Sequence, residues 1–291
     1  MAWRTTLALA GALAMLAAAP ALADEGRLMD AGDAVPGHPG MTYEDLVRLA
    51  VPDLALSPDD HRVEGHLAAA PRHLAGPQYQ DDDPSDLAVE LGSVEDKRIL
   101  VGGKKRIALL ADLGGHEGRI EGTALLILLD DEGPAPKLID MADVAIDQDT
   151  VFAEQAVLPL GPGDVALVTW SEHDDADLTL GGYMLISPIG DHLAMVARIA
   201  LTSENLCSWH GLETVHFATT PDASGPYRRI LATAKAVFTG TGEDGCNDEK
   251  HPKGTHIFHA SWRWSPVSRR YETARSTLGG LEALNKQFFG D

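Results

Sequence analysis

The sequence predicts a mainly β protein built from antiparallel meander repeats, with an N-terminal helix and a short C-terminal helix. Three observations support this fold class. From about Ile99 onward, short runs rich in Val, Ile and Leu are broken by Gly, Pro and Asp, the pattern typical of strands and turns. A faint repeat recurs about 60 residues apart. Two flanking segments show helical spacing instead.

The repeat consists of apolar runs in a fixed order of strand, loop, strand, tight turn and strand. Residues 107–110 precede residues 165–168 by 58 positions, and both runs lead into a polar loop. A second apolar run begins at Gly122 in the first unit and at Gly182 in the second. Residues 227–273 fit a third unit. Such meanders can form blades of a partial propeller or a sandwich of stacked sheets, and the pattern leaves both open.

Capping and stop signals predict the two helices. Thr42 can cap a helix start with Asp45 three residues later, and Pro52 ends the segment. Near the end of the chain, apolar residues at helical spacing follow a pair of glycines and predict a short helix docked on the sheet. These apolar residues are Leu281, Leu284, Phe288 and Phe289.

The first 23 residues are typical of a cleavable export signal. A single charge at Arg4 precedes an apolar stretch, and Ala21 and Ala23 are the small residues expected before a cut. We therefore expect a soluble protein located in the periplasm or secreted. The predicted organisation is 1–23 signal peptide, 24–96 acidic Pro-rich region with one helix, 97–275 β domain of about three meander units, and 276–291 C-terminal helix.

The chain is strongly acidic, and its charge restricts the classes of partner. It carries 44 Asp and Glu against 23 Lys and Arg, a formal net charge of −21. A field of that sign repels nucleic acid and anionic membrane surfaces. No segment after the signal is long and apolar enough to span a membrane. The charge leaves cationic ligands, divalent metals and basic partners open. The partner stays unknown, and the candidates are an envelope protein or a small ligand.

The only two cysteines, Cys207 and Cys246, lie 39 positions apart. In an oxidising compartment they predict one disulfide. A bridge over that distance would stabilise the fold by about 4 kcal/mol on the chain-entropy model. The alternative is zinc, because Cys207 with His210 and Cys246 with His251 supply a two-cysteine, two-histidine ligand set.

Histidines are concentrated between His210 and His259, next to acidic residues. Imidazoles bind zinc and other divalent metals, so this region is a candidate metal site. On a strand, however, His210 and His216 share one face while Glu213 points to the other, and His256 and His259 fall on opposite faces. The candidate metal ligands are His210, His216, His251, His256 and His259.

Trp262 and Trp264 stand at alternate positions of a predicted strand. This spacing favours packing within the sheet, and an exposed pair would instead stack on a sugar or a peptide. We find no nucleophile-elbow, zinc-protease, phosphate-loop or dinucleotide motif. The leading hypothesis is therefore a non-enzymatic binding or envelope-interaction module whose disulfide-pinned lobe and inter-strand loops form its contact surface. The alternative is a metal-binding protein or metal-dependent hydrolase.

Overall fold

A computed structural model describes residues 30–57, 62–67, 70–76, 88–115, 122–175, 178–206, 209–240 and 253–289. The predicted signal peptide lies outside these residues. Within them the chain forms fifteen strands and two helices, and every strand pairing is antiparallel. The mainly β prediction is confirmed.

The strands form three sheets. A small N-terminal sheet contains β1 (Ala55–Leu56), β2 (Val63–His66) and β3 (Ala88–Glu90). A four-stranded sheet contains β4 (Ser93–Val101), β5 (Lys104–Gly115), β6 (Gly122–Asp130) and β7 (Lys137–Asp143). An eight-stranded sheet contains β8 (Asp149–Gly161), β9 (Asp164–Asp175), β10 (Leu178–Ser187), β11 (Ala194–Leu206), β12 (Trp209–Thr220), β13 (Arg229–Thr239), β14 (Gly254–Ser265) and β15 (Arg270–Ser276).

The eight-stranded sheet folds back on itself between β11 and β12. These two strands pair over only four residue pairs, next to their connection. One buried cluster contains residues from β8–β11 and from β12–β15, so the two halves face each other across it. The Tyr183 ring meets the Phe217 ring edge-on, with centroids 5.6 Å apart, and the Arg228 N–H donates to the Leu160 carbonyl at 2.6 Å. The chain thus forms three four-stranded meanders, β4–β7, β8–β11 and β12–β15.

The first meander is buried on both faces. Alternate residues of β6 belong to two separate cores: Ile127 packs toward the N-terminal segment and Leu128 toward the second meander. Residues 125–129 are all fully buried. The unbroken apolar run of β6 therefore reflects a sheet covered by other layers on both faces rather than a sheet with one solvent-exposed face.

The N-terminal helix α1 (Tyr43–Val47) confirms the prediction made from Thr42. The Thr42 hydroxyl accepts from the Asp45 N–H at 3.3 Å, and the Asp45 carboxylate accepts from the Thr42 N–H at 2.9 Å. Leu46 is fully buried in the core beneath β5 and β6. This short helix is held by its cap and by packing, since so few residues form no stable helix alone.

The C-terminal helix α2 (Gly279–Phe289) is also confirmed, and it starts at the two glycines rather than after them. A Cβ on Gly280 would lie 2.8 Å from the Phe258 ring, so only glycine allows the first turn to approach β14 this closely. Leu281 anchors the helix in the core between the second and third meanders. Among the described helices, none has the length and apolar character needed to cross a membrane.

Candidate functional site

The histidines singled out from the sequence are divided between the two faces of the third meander. His210, His216 and His259 lie exposed on its outer face, whereas His256 packs edge-on against the Phe238 ring on the inner face, with centroids 5.8 Å apart. Within the described ranges, no three His, Cys, Asp or Glu side chains are grouped closely enough to hold a metal ion. His251, Cys207 and Cys246 lie outside those ranges, so the disulfide stays a prediction.

The two tryptophans take part in sheet packing. Trp262 is 3% exposed and lies in the core between the second and third meanders. Trp264 contacts Tyr227 and Tyr271 edge-on, with centroids 4.7 and 5.7 Å away. The structure therefore favours the packing interpretation over a ligand platform.

Glu213 lies opposite the outer histidines, as the strand alternation predicts, and is buried beneath α2. Its Oε2 accepts from the Thr202 N–H at 2.9 Å and from Asn285 Nδ2 at 3.2 Å. Its Oε1 and the Asn285 Oδ1 are buried without a hydrogen-bond partner among the described residues. Burial raises the pKa of Glu213. The protonated carboxyl can donate a hydrogen bond, which the ionised form cannot.

Replacing Glu213 with Gln should therefore stabilise the protein above neutral pH. A raised pKa means that Glu213 contributes stability below its unfolded pKa and loses it as pH rises through the folded pKa. The amide carries its donor at every pH, so we expect Glu213→Gln to be more stable by about 1–3 kcal/mol at pH near 8 and little changed near pH 4. Urea unfolding at both pH values measures this. Glu282→Gln, on the exposed face of α2, is the control, and an equal gain in both variants contradicts the assignment.

A cleft of about 820 Å³ lies between the first and second meanders. It is lined by the edge strands β4 and β8, by the turn between β8 and β9, and by residues 36–38 of the N-terminal segment. At one end Glu95 of β4 accepts from the Phe152 N–H of β8 at 3.0 Å. At the other end the hairpin turns meet: the Gly103 N–H donates to the Gly163 carbonyl at 3.0 Å. Gly163 has φ +81°, and a Cβ there would lie 2.8 Å from Gly103, so this contact requires glycine.

One wall of this cleft is an open strand edge. In the described residues, β4 pairs only with β5. Val101 and Lys104 flank the two-residue turn, where flanking residues exchange both backbone hydrogen bonds. Hydrogen-bonded and non-hydrogen-bonded residue pairs alternate along an antiparallel hairpin. Arg98 and Leu100 belong to non-hydrogen-bonded pairs, so their backbone N–H and C=O groups point away from β5. The Lys105 carbonyl, paired with Leu100, accordingly bonds the Asp131 N–H on its far side at 3.2 Å.

The cleft combines exposed apolar side chains with cations. Leu100 on β4 and Val157 on β8 are 43% and 37% exposed. The Arg98 guanidinium forms ion pairs with Asp96 and Asp131. The Arg106 guanidinium is likewise paired with Asp130 and Asp191. Lys105, in contrast, is exposed and has no carboxylate partner among the described residues.

Two buried carboxylates join the first and second meanders. Asp112 accepts from the Thr150 N–H at 3.0 Å and from the Gly114 N–H at 2.9 Å, so a first-meander side chain supplies an acceptor to β8. Glu95 does the same at Phe152. Burial raises the pKa of both carboxyls, and the backbone N–H groups partly offset it. These two carboxylates therefore join β4 and β5 of the first meander to β8 of the second.

A second depression, of about 540 Å³, lies on the outer face of the third meander. We call it the arginine groove and define it by Arg229 on β13, Arg263 and His259 on β14, and Arg275 on β15. The sequence pattern alone does not indicate these arginines as a group, because the register of three separate strands brings them together. The available signal was charge: residues 209–240 and 253–289 hold nine Lys and Arg against four Asp and Glu in an otherwise acidic chain.

No protein-family model, curated protein or solved structure matches the chain. The chemistry of the cleft and of the arginine groove therefore rests on this chain's own residues.

Proposed function

We propose that the protein is an exported binding module that holds an extended peptide segment of an envelope protein in the cleft between β4 and β8. The observation that carries the proposal is the open edge of β4, which lines the cleft of about 820 Å³. An extended peptide can add to such an edge as a further strand, gaining main-chain hydrogen bonds.

The side chains around this edge suit a peptide better than a compact ligand. Side chains of an added strand alternate, so one set faces the exposed Leu100 and Val157 while the other faces solvent. Lys105 has no carboxylate partner among the residues that the structure describes, so its charge favours an acidic residue in the peptide. The Glu95–Phe152 contact and the paired hairpin turns close the two ends and limit the bound segment to a few residues.

Replacing Leu100 with Pro tests the docking mode. The Leu100 N–H faces the open edge, so proline there removes a donor to the ligand and leaves the hydrogen bonds to β5 intact. Peptides are first selected from a random display library on the wild-type protein. We expect Leu100→Pro to weaken their affinity at least tenfold, because one main-chain hydrogen bond is lost and the proline ring blocks the edge. Fluorescence anisotropy measures the change.

Two control variants distinguish the loss of the backbone N–H at Leu100 from the loss of its side chain. Leu100→Ala keeps the N–H and should weaken binding less than proline does. Leu138→Ala alters a similarly exposed leucine, 40% exposed on β7 at the opposite edge of the same sheet, and should change nothing. The proposal fails if the library yields no binding peptide, or if Leu100→Pro binds the selected peptides as tightly as the wild type does.

A further inference from the structure

The arginine groove presents more positive charge than its surroundings neutralise. Arg229 and Arg263 share one carboxylate, that of Asp222, at 3.4 and 3.7 Å. Hydrogen bonds from Ser224, followed by the Arg229 charge, hold the pKa of Asp222 below its usual range. Arg275 has no carboxylate partner among the described residues, and the groove lining contains no acidic side chain. Arg263 also pairs in register with Glu272, whose carboxylate accepts from the Ser268 hydroxyl at 2.6 Å. Three guanidiniums thus lie near two carboxylates, those of Asp222 and Glu272.

Strand register brings these cations within reach of one ligand. Arg229 lies beside Arg263, because their neighbours Ile230 and Trp262 are paired across β13 and β14. Ser261 on β14 pairs with Arg275 on β15, which places Arg275 diagonally next to Arg263. Diagonal neighbours on one face of a sheet lie about 7–8 Å apart at Cα, and long side chains bridge that distance.

The neighbouring polar groups complete the lining. The Thr233 hydroxyl and His259 Nδ1 are 3.2 Å apart, which fixes the imidazole at one end of the groove. Guanidinium groups bind oxyanions through paired N–H donors, whereas they offer nothing to a metal cation. A long nucleic acid is disfavoured by the overall charge of −21, which leaves a compact anion.

We propose that the arginine groove is a binding site for a small ligand with at least two phosphate or carboxylate groups. One anionic group lies between Arg263 and Arg275, and the second extends toward His259. This site lies on the outer face of the third meander and shares no lining residue with the peptide cleft, so the two proposals can be tested separately.

Calorimetric titration with two probes, tripolyphosphate and citrate, tests the site and distinguishes phosphate from carboxylate ligands. We expect at least one probe to bind with one-to-one stoichiometry, and the affinity to fall as NaCl is raised. Arg275→Ala should weaken that probe about tenfold through loss of a charge-assisted pair. Arg275 is exposed, so the thermal midpoint should not change and loss of binding is not loss of folding.

Lys235→Ala is the matched control. Lys235 lies on the same outer face of β13, outside the groove lining, and its removal changes the net charge equally. We expect it to leave the affinity within twofold of wild type. The proposal is overturned if neither probe binds, or if Lys235→Ala weakens binding as much as Arg275→Ala does, since binding would then follow net charge alone.

Discussion

Truncating either of two neighbouring β6 residues, Ile127→Ala or Leu128→Ala, should lower the free energy of unfolding by about 2–5 kcal/mol each. Adjacent residues of a strand point to opposite faces of the sheet. In a sheet with one solvent-exposed face, truncating only one of the two residues would lower the free energy of unfolding this much. Both are fully buried here, in separate cores. Urea unfolding monitored by circular dichroism measures the two losses.

Ile257→Ala is the control, because Ile257 is 56% exposed on the outer face of β14. Its removal should change stability by no more than about 0.5 kcal/mol. A small effect at either Ile127 or Leu128 contradicts the placement of the first meander between the N-terminal segment and the second meander.

Phe217→Ala should destabilise the protein by about 3–5 kcal/mol, because Phe217 joins the two halves of the folded eight-stranded sheet. The ring is 2% exposed and meets Tyr183 of β10 edge-on. A double-mutant cycle with Tyr183→Ala should give a coupling energy of about 0.5–1.5 kcal/mol, the usual worth of an aromatic pair beyond its burial. Denaturant unfolding of the wild type, the two single variants and the double variant gives the four free energies that the cycle requires.

The adjacent residue provides the comparison for this prediction. His216 lies on the exposed outer face, so His216→Ala should stay within about 0.5 kcal/mol of wild type. Strict additivity of Phe217→Ala and Tyr183→Ala would mean that the two halves of the sheet do not contact each other here.

The strands that the sequence predicts best are those with continuous apolar runs. Residues 107–110 and 165–168 belong to β5 and β9, and both helices follow from local capping and spacing. The first strands of the first and second meanders were not predicted, because their apolar alternation is broken: β4 contains the charged run 95–98, and β8 contains Pro159. Their partners on neighbouring strands stabilise these segments, and a local pattern does not contain that information.

The candidate sites were less predictable than the fold. Histidines close in sequence are separated by strand alternation, which the analysis of His210 and Glu213 anticipated from spacing alone. The cleft depends on which strand edges remain unpaired, and the arginine groove depends on cross-strand register. Arg229, Arg263 and Arg275 come from three strands whose alignment is set by turns and packing across the whole meander.

Amide hydrogen exchange along β4, followed by NMR in the free protein, tests the open edge most directly. The N–H groups of Ile99 and Val101 bond β5 and should exchange slowly, whereas those of Arg98 and Leu100 face the cleft and should exchange fast. A bound peptide should then protect Arg98 and Leu100 alone. Equal protection of all four amides in the free protein would show that this edge is already covered and would contradict the proposed binding mode.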